Sequence, residues 1–222
     1  NKRALLTTSL VVNKTWNSVN NETSAKRPNV TMVLKQAGSD GTVNNTYSTY
    51  QFVPPTTSYT FSNLPQDSYN ASGTYVTYTY SVTETQPDGY VTPVIAKTSD
   101  SPLTYSVTNT PKSVSLTLTK QWVGDNGYTA YRPTAAGLDL TLKRKLANGS
   151  DDSAFTPQTV HLSSASGDTW TATVSNLPEG YYETSGGAYK TYTYYVVEPS
   201  VPKGYDWPSL LEQQVVAPVR WT

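Results

Sequence analysis

Read at the two-residue period of a β-strand, the stretch LVVNKTW (10–16) puts Leu10, Val12, Lys14 and Trp16 on one face and Asn13 and Thr15 on the other. SVSLTLTKQW (113–122) repeats the pattern, with Val114, Leu116, Leu118, Lys120 and Trp122 against Ser115, Thr117, Thr119 and Gln121. YVTYTYSVTE (75–84) sets Val76, Tyr78, Tyr80, Val82 and Glu84 against Thr77, Thr79, Ser81 and Thr83; Tyr192, Tyr194, Val196 and Glu198 form a matching series. LTYSVTN (103–109) sends Leu103, Tyr105, Val107 and Asn109 inward. Turn signals recur between these runs: SDG at 39–41, PPTT at 54–57, PDG at 87–89 and ANGSDD at 147–152. No stretch has a helical period. Short antiparallel strands in two packed sheets are the expectation.

The strands come in duplicate. NKTWNSVNNETSAKRPNVTMVLK (13–35) aligns with TKQWVGDNGYTAYRPTAAGLDLTLKR (119–144), SYTFSNLP (58–65) with TWTATVSNLP (169–178), and TYTYSVTETQPDGY (77–90) with TYTYYVVEPSVPKGY (191–205). The order is the same in both halves, so the chain reads as a tandem duplication of a unit of about 110 residues, the size of one β-sandwich. Domains at 1–111 and 112–222 follow, joined at Thr110-Pro111-Lys112.

Three polar residues therefore share core parity in the first copy: Lys14, Glu84 and Asn109. Lys120 and Glu198 repeat two of them. One reading is snorkelling, with the polar tips in water at strand ends. Another is a buried lysine–glutamate ion pair, which adds little stability. A third is chemical. Burial favours the neutral amine and the neutral acid. A neutral lysine amine beside a protonated glutamic acid can attack an asparagine carboxamide within reach and release ammonia, leaving an amide between side chains.

Composition narrows the field. Sixteen basic and sixteen acidic residues balance, which argues against a nucleic-acid partner. Eighteen tyrosines and fifteen prolines suit an all-β chain rich in turns. With no cysteine and one histidine, His161, disulfides, thiolate metal sites and most histidine-based catalytic sets are excluded. No phosphate loop, dinucleotide fingerprint or nucleophile elbow occurs. No metal or cofactor is expected. Asp151 and Asp152 lie in a polar loop and read as solvated. The sequons at Asn29 and Asn148 are the kind that arise by chance in a chain rich in Ser and Thr. Tyr181 and Tyr182 read as sheet-covering aromatics, with ligand contact the alternative. No apolar run is long enough to span a membrane, and a chain opening on Asn1 reads as a piece of a longer protein.

The combination of K-x-W, RP, NLP, Y-x-V-x-E followed after two or three residues by P-x-G-Y, and a T-N-T closing the first copy resembles the Cna B-type repeat of Gram-positive surface adhesins and pili, twice over. The resemblance implies an all-β chain of two tandem reversed immunoglobulin-like sandwiches, with first and last strands adjacent. It implies a Lys14–Asn109 isopeptide bond assisted by Glu84, and it matches Lys120 and Glu198 to the family's lysine and glutamate. The end of the second copy, VVAPVRWT, departs from the pattern, with no Asn or Asp. Spacing from Glu198 puts the acceptor at position 223, and the apolar series Val215, Ala217, Val219 and Trp221 has the same parity. Asn1 reads as the closing asparagine of an upstream repeat.

The expected function is a structural stalk of a wall-attached surface protein that modifies itself in a single turnover and is otherwise not an enzyme. Its partners would be neighbouring domains of the same polypeptide, with host matrix or cell-surface ligands engaged by other domains, no membrane contact here, and a monomeric state. A ligand-binding adhesin module or pilin fragment is the alternative, and an accessory domain of a secreted enzyme a third.

Overall fold

A computed structural model describes residues 6–19, 26–125, 129–132, 138–198, 204, 213–214 and 219–220. Asn1, Tyr205, Val215, Ala217 and Trp221 lie outside the described residues. Backbone contacts divide the chain into two compact units, with the main break between Pro111 and Lys112; Tyr182–Ala188 groups with the first.

The first unit holds β1 (Thr7–Trp16), β2 (Val30–Gly38), β3 (Val43–Phe52), β4 (Ser58–Pro65), β5 (Asp67–Tyr69), β6 (Tyr75–Glu84), β7 (Val94–Asp100) and β8 (Leu103–Asn109). They form two four-stranded sheets, ordered β4-β1-β8-β7 and β3-β2-β6-β5. Every pairing is antiparallel except β1 with β8, the first and last strands, which run parallel from Leu10 opposite Leu103 to Trp16 opposite Asn109. Strand alternation fills the space between the sheets: Leu10, Val12, Met32, Leu34, Phe52, Val82 and Val107 are buried there. The predicted turns at SDG and PDG form, with Gly41 and Gly89 at positive φ.

The second unit holds β9 (Ser113–Gln121), a 3-10 turn (Thr129–Tyr131), β10 (Leu138–Lys145), β11 (Gln158–Ser166), β12 (Thr169–Pro178), β13 (Gly180–Tyr182), β14 (Tyr189–Thr191), β15 (Thr193–Val197), β16 (Gln213–Gln214) and β17 (Val219–Arg220). Among the described residues that turn is the longest helical element. Instead of two separate sheets, the main strands make one continuous sheet, β16-β15-β10-β11-β12-β9-β17, with β13-β14 apart. The cause is local. In the first unit a five-residue link carrying PPTT separates β3 from β4. In the second only Gly167 and Asp168 join β11 to β12, and Gly167 at φ 52 lets the chain fold straight back into pairing. β17 lies parallel to β9, as β8 does to β1.

The NLP motif has the same role in both units. Asn63 (φ 57) and Asn176 (φ 59) adopt the left-handed conformation that asparagine tolerates better than most residues. Each sits in a bulge where the register slips, and the leucine that follows is buried. The proline carbonyl then accepts a tyrosine hydroxyl: Tyr80 donates to Pro65 at 2.8 Å and Tyr194 to Pro178 at 2.7 Å. Tyr194→Phe is expected to destabilise the second unit by about 1–2 kcal/mol, the cost of a buried carbonyl losing its donor. The urea midpoint of that unit's unfolding measures it, and an unmoved midpoint would show the bond to be neutral.

Candidate functional site

The core of the first unit ends in polar side chains. Lys14 and Trp16 follow Leu10 and Val12 on the inward face of β1, and Asn109 closes the inward face of β8. Glu84 ends β6 in the opposite sheet, paired with Met32 of β2. The parallel register sets Lys14 opposite Val107 and Trp16 opposite Asn109. Lysine and asparagine therefore come from neighbouring strands of one sheet, and glutamate meets them from across the sandwich.

The Lys14 and Glu84 side chains are fully buried, with Nζ 3.2 Å from Oε2. The Asn109 amide donates to Glu84 Oε1 at 2.6 Å. Nζ also donates weakly to the Val107 carbonyl at 3.4 Å and lies 4.5 Å from the centre of the Trp16 ring. Burial lowers the Lys14 pKa below its ordinary value; the adjacent Glu84 charge opposes this, and the Arg27 charge adds to it. Glu84 Oε2 faces the ammonium without a well-directed hydrogen bond, and Asn109 Oδ1 has no hydrogen-bond partner among the described residues. Two buried oxygens lack directed donors while the lysine is disposed to give up a proton.

This arrangement supports one set of atom movements. A proton passing from Nζ to Glu84 would leave an amine and a carboxylic acid. The new O–H would be a donor, and Asn109 Oδ1 an acceptor for it once the amide turned its oxygen toward the acid. Attack of Nζ on Cγ would then break the Cγ–Nδ2 bond, with Nδ2 leaving as ammonia and a proton relayed through Glu84. The products would be an amide joining the two side chains, ammonia, and neutral Glu84. The ammonium-carboxylate pair and the forms that react carry the same number of protons, so the first step is a transfer within the pair.

In the second unit Lys120 Nζ donates to Glu198 Oε2 at 3.0 Å. The lysine side chain is 18% exposed where Lys14 is sealed, and the glutamate side chain is 2% exposed. Glu198 Oε1, the counterpart of the oxygen that takes the Asn109 amide, has no hydrogen-bond partner among the described residues. Lys120 also lies 5.1 Å from the Trp122 ring.

Asp152 departs from its expected solvation. Leu138, Leu140, Leu142 and Arg144 make the inward series of β10, so a guanidinium falls into the core. Asp152, with an 8% exposed side chain, compensates it at 2.7 Å. Arg144 also stacks 3.7 Å from the Tyr192 ring and 4.7 Å from Phe155. The visible signal was an arginine continuing an apolar series. Asp151 stays exposed and accepts the Tyr195 hydroxyl at 2.7 Å. Tyr181 stacks on Tyr192 at 4.8 Å and Tyr182 is buried, so both cover structure. His161 contacts Asp139 at the surface.

The fold and its buried polar cluster define a duplicated β-sandwich repeat whose terminal strands run side by side. The chain belongs to the Cna protein B-type domain family, whose sequence profile matches residues 10–110 and again 116–216. No curated protein sequence matches it significantly. Among solved structures it is similar to two B repeat units of the collagen-binding protein of Staphylococcus aureus. The identity is 23% over 86% of this chain and 44% of that one, with a TM-score of 0.40. It is also similar to the shaft pilin SpaA of Lactobacillus rhamnosus GG, at 16% identity, 93% and 94% coverage and TM-score 0.32. A third likeness is to the pilus backbone RrgB of Streptococcus pneumoniae, at 14%, 93%, 57% and 0.30. The chain thus spans under half of the Staphylococcus aureus structure's length.

Proposed function

We propose that this chain is a stalk segment of a Gram-positive cell-surface protein, two load-bearing domains at 1–111 and 112–222. The first is closed by a self-formed isopeptide bond between Lys14 and Asn109, with Glu84 as the proton carrier. Its partners are the domains before and after it in the same polypeptide, and its chemistry is one turnover on itself. The observation that carries this reading is the meeting of Lys14, Glu84 and Asn109 in a sealed core between parallel first and last strands. Family membership supports the surface setting.

The position of the bond suits a mechanical role. Tension entering through β1 and leaving through β8 would otherwise shear the seven paired positions between them. A covalent link between those two strands carries the load past the rest of the domain, so the sheets need not separate.

Intact mass is the test. The purified chain should weigh one ammonia less than its sequence, and proteolysis should yield a branched peptide joining the Lys14 and Asn109 segments. A full, unmodified mass sinks the proposal. Glu84→Gln keeps the shape but cannot accept the lysine proton. It should fold and retain the full mass, with cross-linking slowed at least about a hundredfold. Cross-linking at the normal rate in that variant would remove Glu84 from the chemistry.

A further inference from the structure

Both copies carry an RP pair just before their second long strand, and nothing in the reaction above uses its arginine. In the first unit the Arg27 guanidinium lies 5.6 Å from the centre of the Trp16 ring, whose centre is 4.5 Å from Lys14 Nζ. In the second, Arg132 lies 5.6 Å from the Trp122 ring, and Lys120 5.1 Å. The same lysine–indole–arginine set has been kept in two copies whose loops otherwise differ. Proline after Arg27 restricts its backbone to extended conformations, and Pro28 is buried, so the arginine springs from a fixed point. Tyr90, also buried, holds Trp16 edge-on at 5.4 Å. The indole is thus gripped between a tyrosine and a guanidinium while it covers the amine.

We propose that Arg27 is a positioning residue for the cross-linking reaction, holding Trp16 over the Lys14 amine and setting a fixed positive charge beside the reacting pair. Arg132 holds the same place in the second unit. This inference rests on the cross-linking reading above. The groups that face Nζ are Glu84 from β6, the Val107 carbonyl from β8, Trp16 on its own strand, and Arg27 from the segment before β2. Arg27 is the cation among them, and its charge disfavours a second one at Nζ. In the second unit Asp125 grips the arginine with two 2.6 Å hydrogen bonds and Asp168 adds a third at 2.6 Å. There the indole meets Trp170 edge-on at 5.3 Å, and the arginine charge is offset.

Full-length chain made by cell-free synthesis across a pH series, quenched in acid at intervals and weighed intact, gives the rate of ammonia loss. The rate should show a plateau in pH with a fall on each side, since the reactive pair must keep one proton. Arg27→Met keeps bulk over the indole but removes the charge. It should slow the reaction on the order of tenfold and move the pH profile to higher pH, because removing a cation raises the proton affinity of the lysine amine. Arg27→Lys keeps the charge without the planar stack; its limbs should stay in place with a smaller loss of rate. Arg27→Ala should be slowest. Wild-type rates and limbs in Arg27→Met overturn the proposal, as does a slowed reaction with unmoved limbs, which is what a merely structural role would give. If Arg27→Ala fails to fold, the methionine and lysine variants decide. A wild-type chain of full mass would instead defeat the cross-link itself, an outcome separable from any effect of the variants.

Discussion

Lys14→Ala is expected to lower the melting temperature of the first unit by roughly 15–25 °C and to open it to proteases. The proposed bond that it would prevent closes a loop of roughly 95 residues. By analogy with a disulfide, loop closure on that scale is worth about 4–5 kcal/mol through the unfolded chain. At roughly 4 °C or more per kcal/mol for a domain near 100 residues, that gives the stated range. Lys14→Ala has a second cost, because it leaves the Glu84 carboxylate in a sealed core without its cation. Asn109→Ala separates the two effects: it also prevents the bond, but it leaves Lys14 and Glu84 paired. Asn109→Ala should therefore fall by the loop contribution and the loss of one donor to Glu84 Oε1, and Lys14→Ala, which loses the cation, by more. Calorimetry of both beside the native chain makes the comparison. If neither variant melts below the native protein, the bond does not stabilise the fold.

The face of each strand was legible in the sequence, because a one-residue error would have moved every apolar side chain into water. Parity alone put Lys14, Glu84 and Asn109 inside, and their side chains do meet in the core. What parity could not give was which sheet each strand joins. That Glu84 arrives from the sheet opposite Lys14 depends on pairings distant in sequence, such as Met32 with Glu84. The continuous sheet of the second unit was missed because the difference lies in a link of two residues against five, a small change in sequence with a large effect on pairing. Asp152 was misread because a loop carboxylate looks solvated until its partner is known, and its partner is an arginine eight residues back that only the fold turns inward. Trp16 and Arg27 were visible as repeated motifs, but spacing says nothing of an indole lying over an amine.

The 222-residue chain is expected to lose one ammonia, not two, and its second unit is expected to melt and be cleaved first. Lys120 and Glu198 are paired, yet Glu198 Oε1 is buried without a hydrogen-bond partner among the described residues. In the first unit that place is taken by the Asn109 amide. The last eight residues, VVAPVRWT, hold no carboxamide or carboxylate that could fill it. Without a bond, the pairing of β17 with β9 rests on non-covalent contacts, and a strand so held opens at lower free energy than a cross-linked one. Two counts give the positions at which an added acceptor would complete the second site. The spacing from Glu198 gives position 223. The strand register gives another: Asn109 sits opposite Trp16, and with Val219 opposite Leu116, six further steps bring position 225 opposite Trp122. Both have the same parity. Chains lengthened to carry asparagine at 223 or at 225 test them against each other. The correct one should shed a second ammonia, join Lys120 to the new residue, and raise the melting temperature of the second unit toward that of the first. A second cross-link already present in the 222-residue chain would mean that Lys120 finds its acceptor elsewhere.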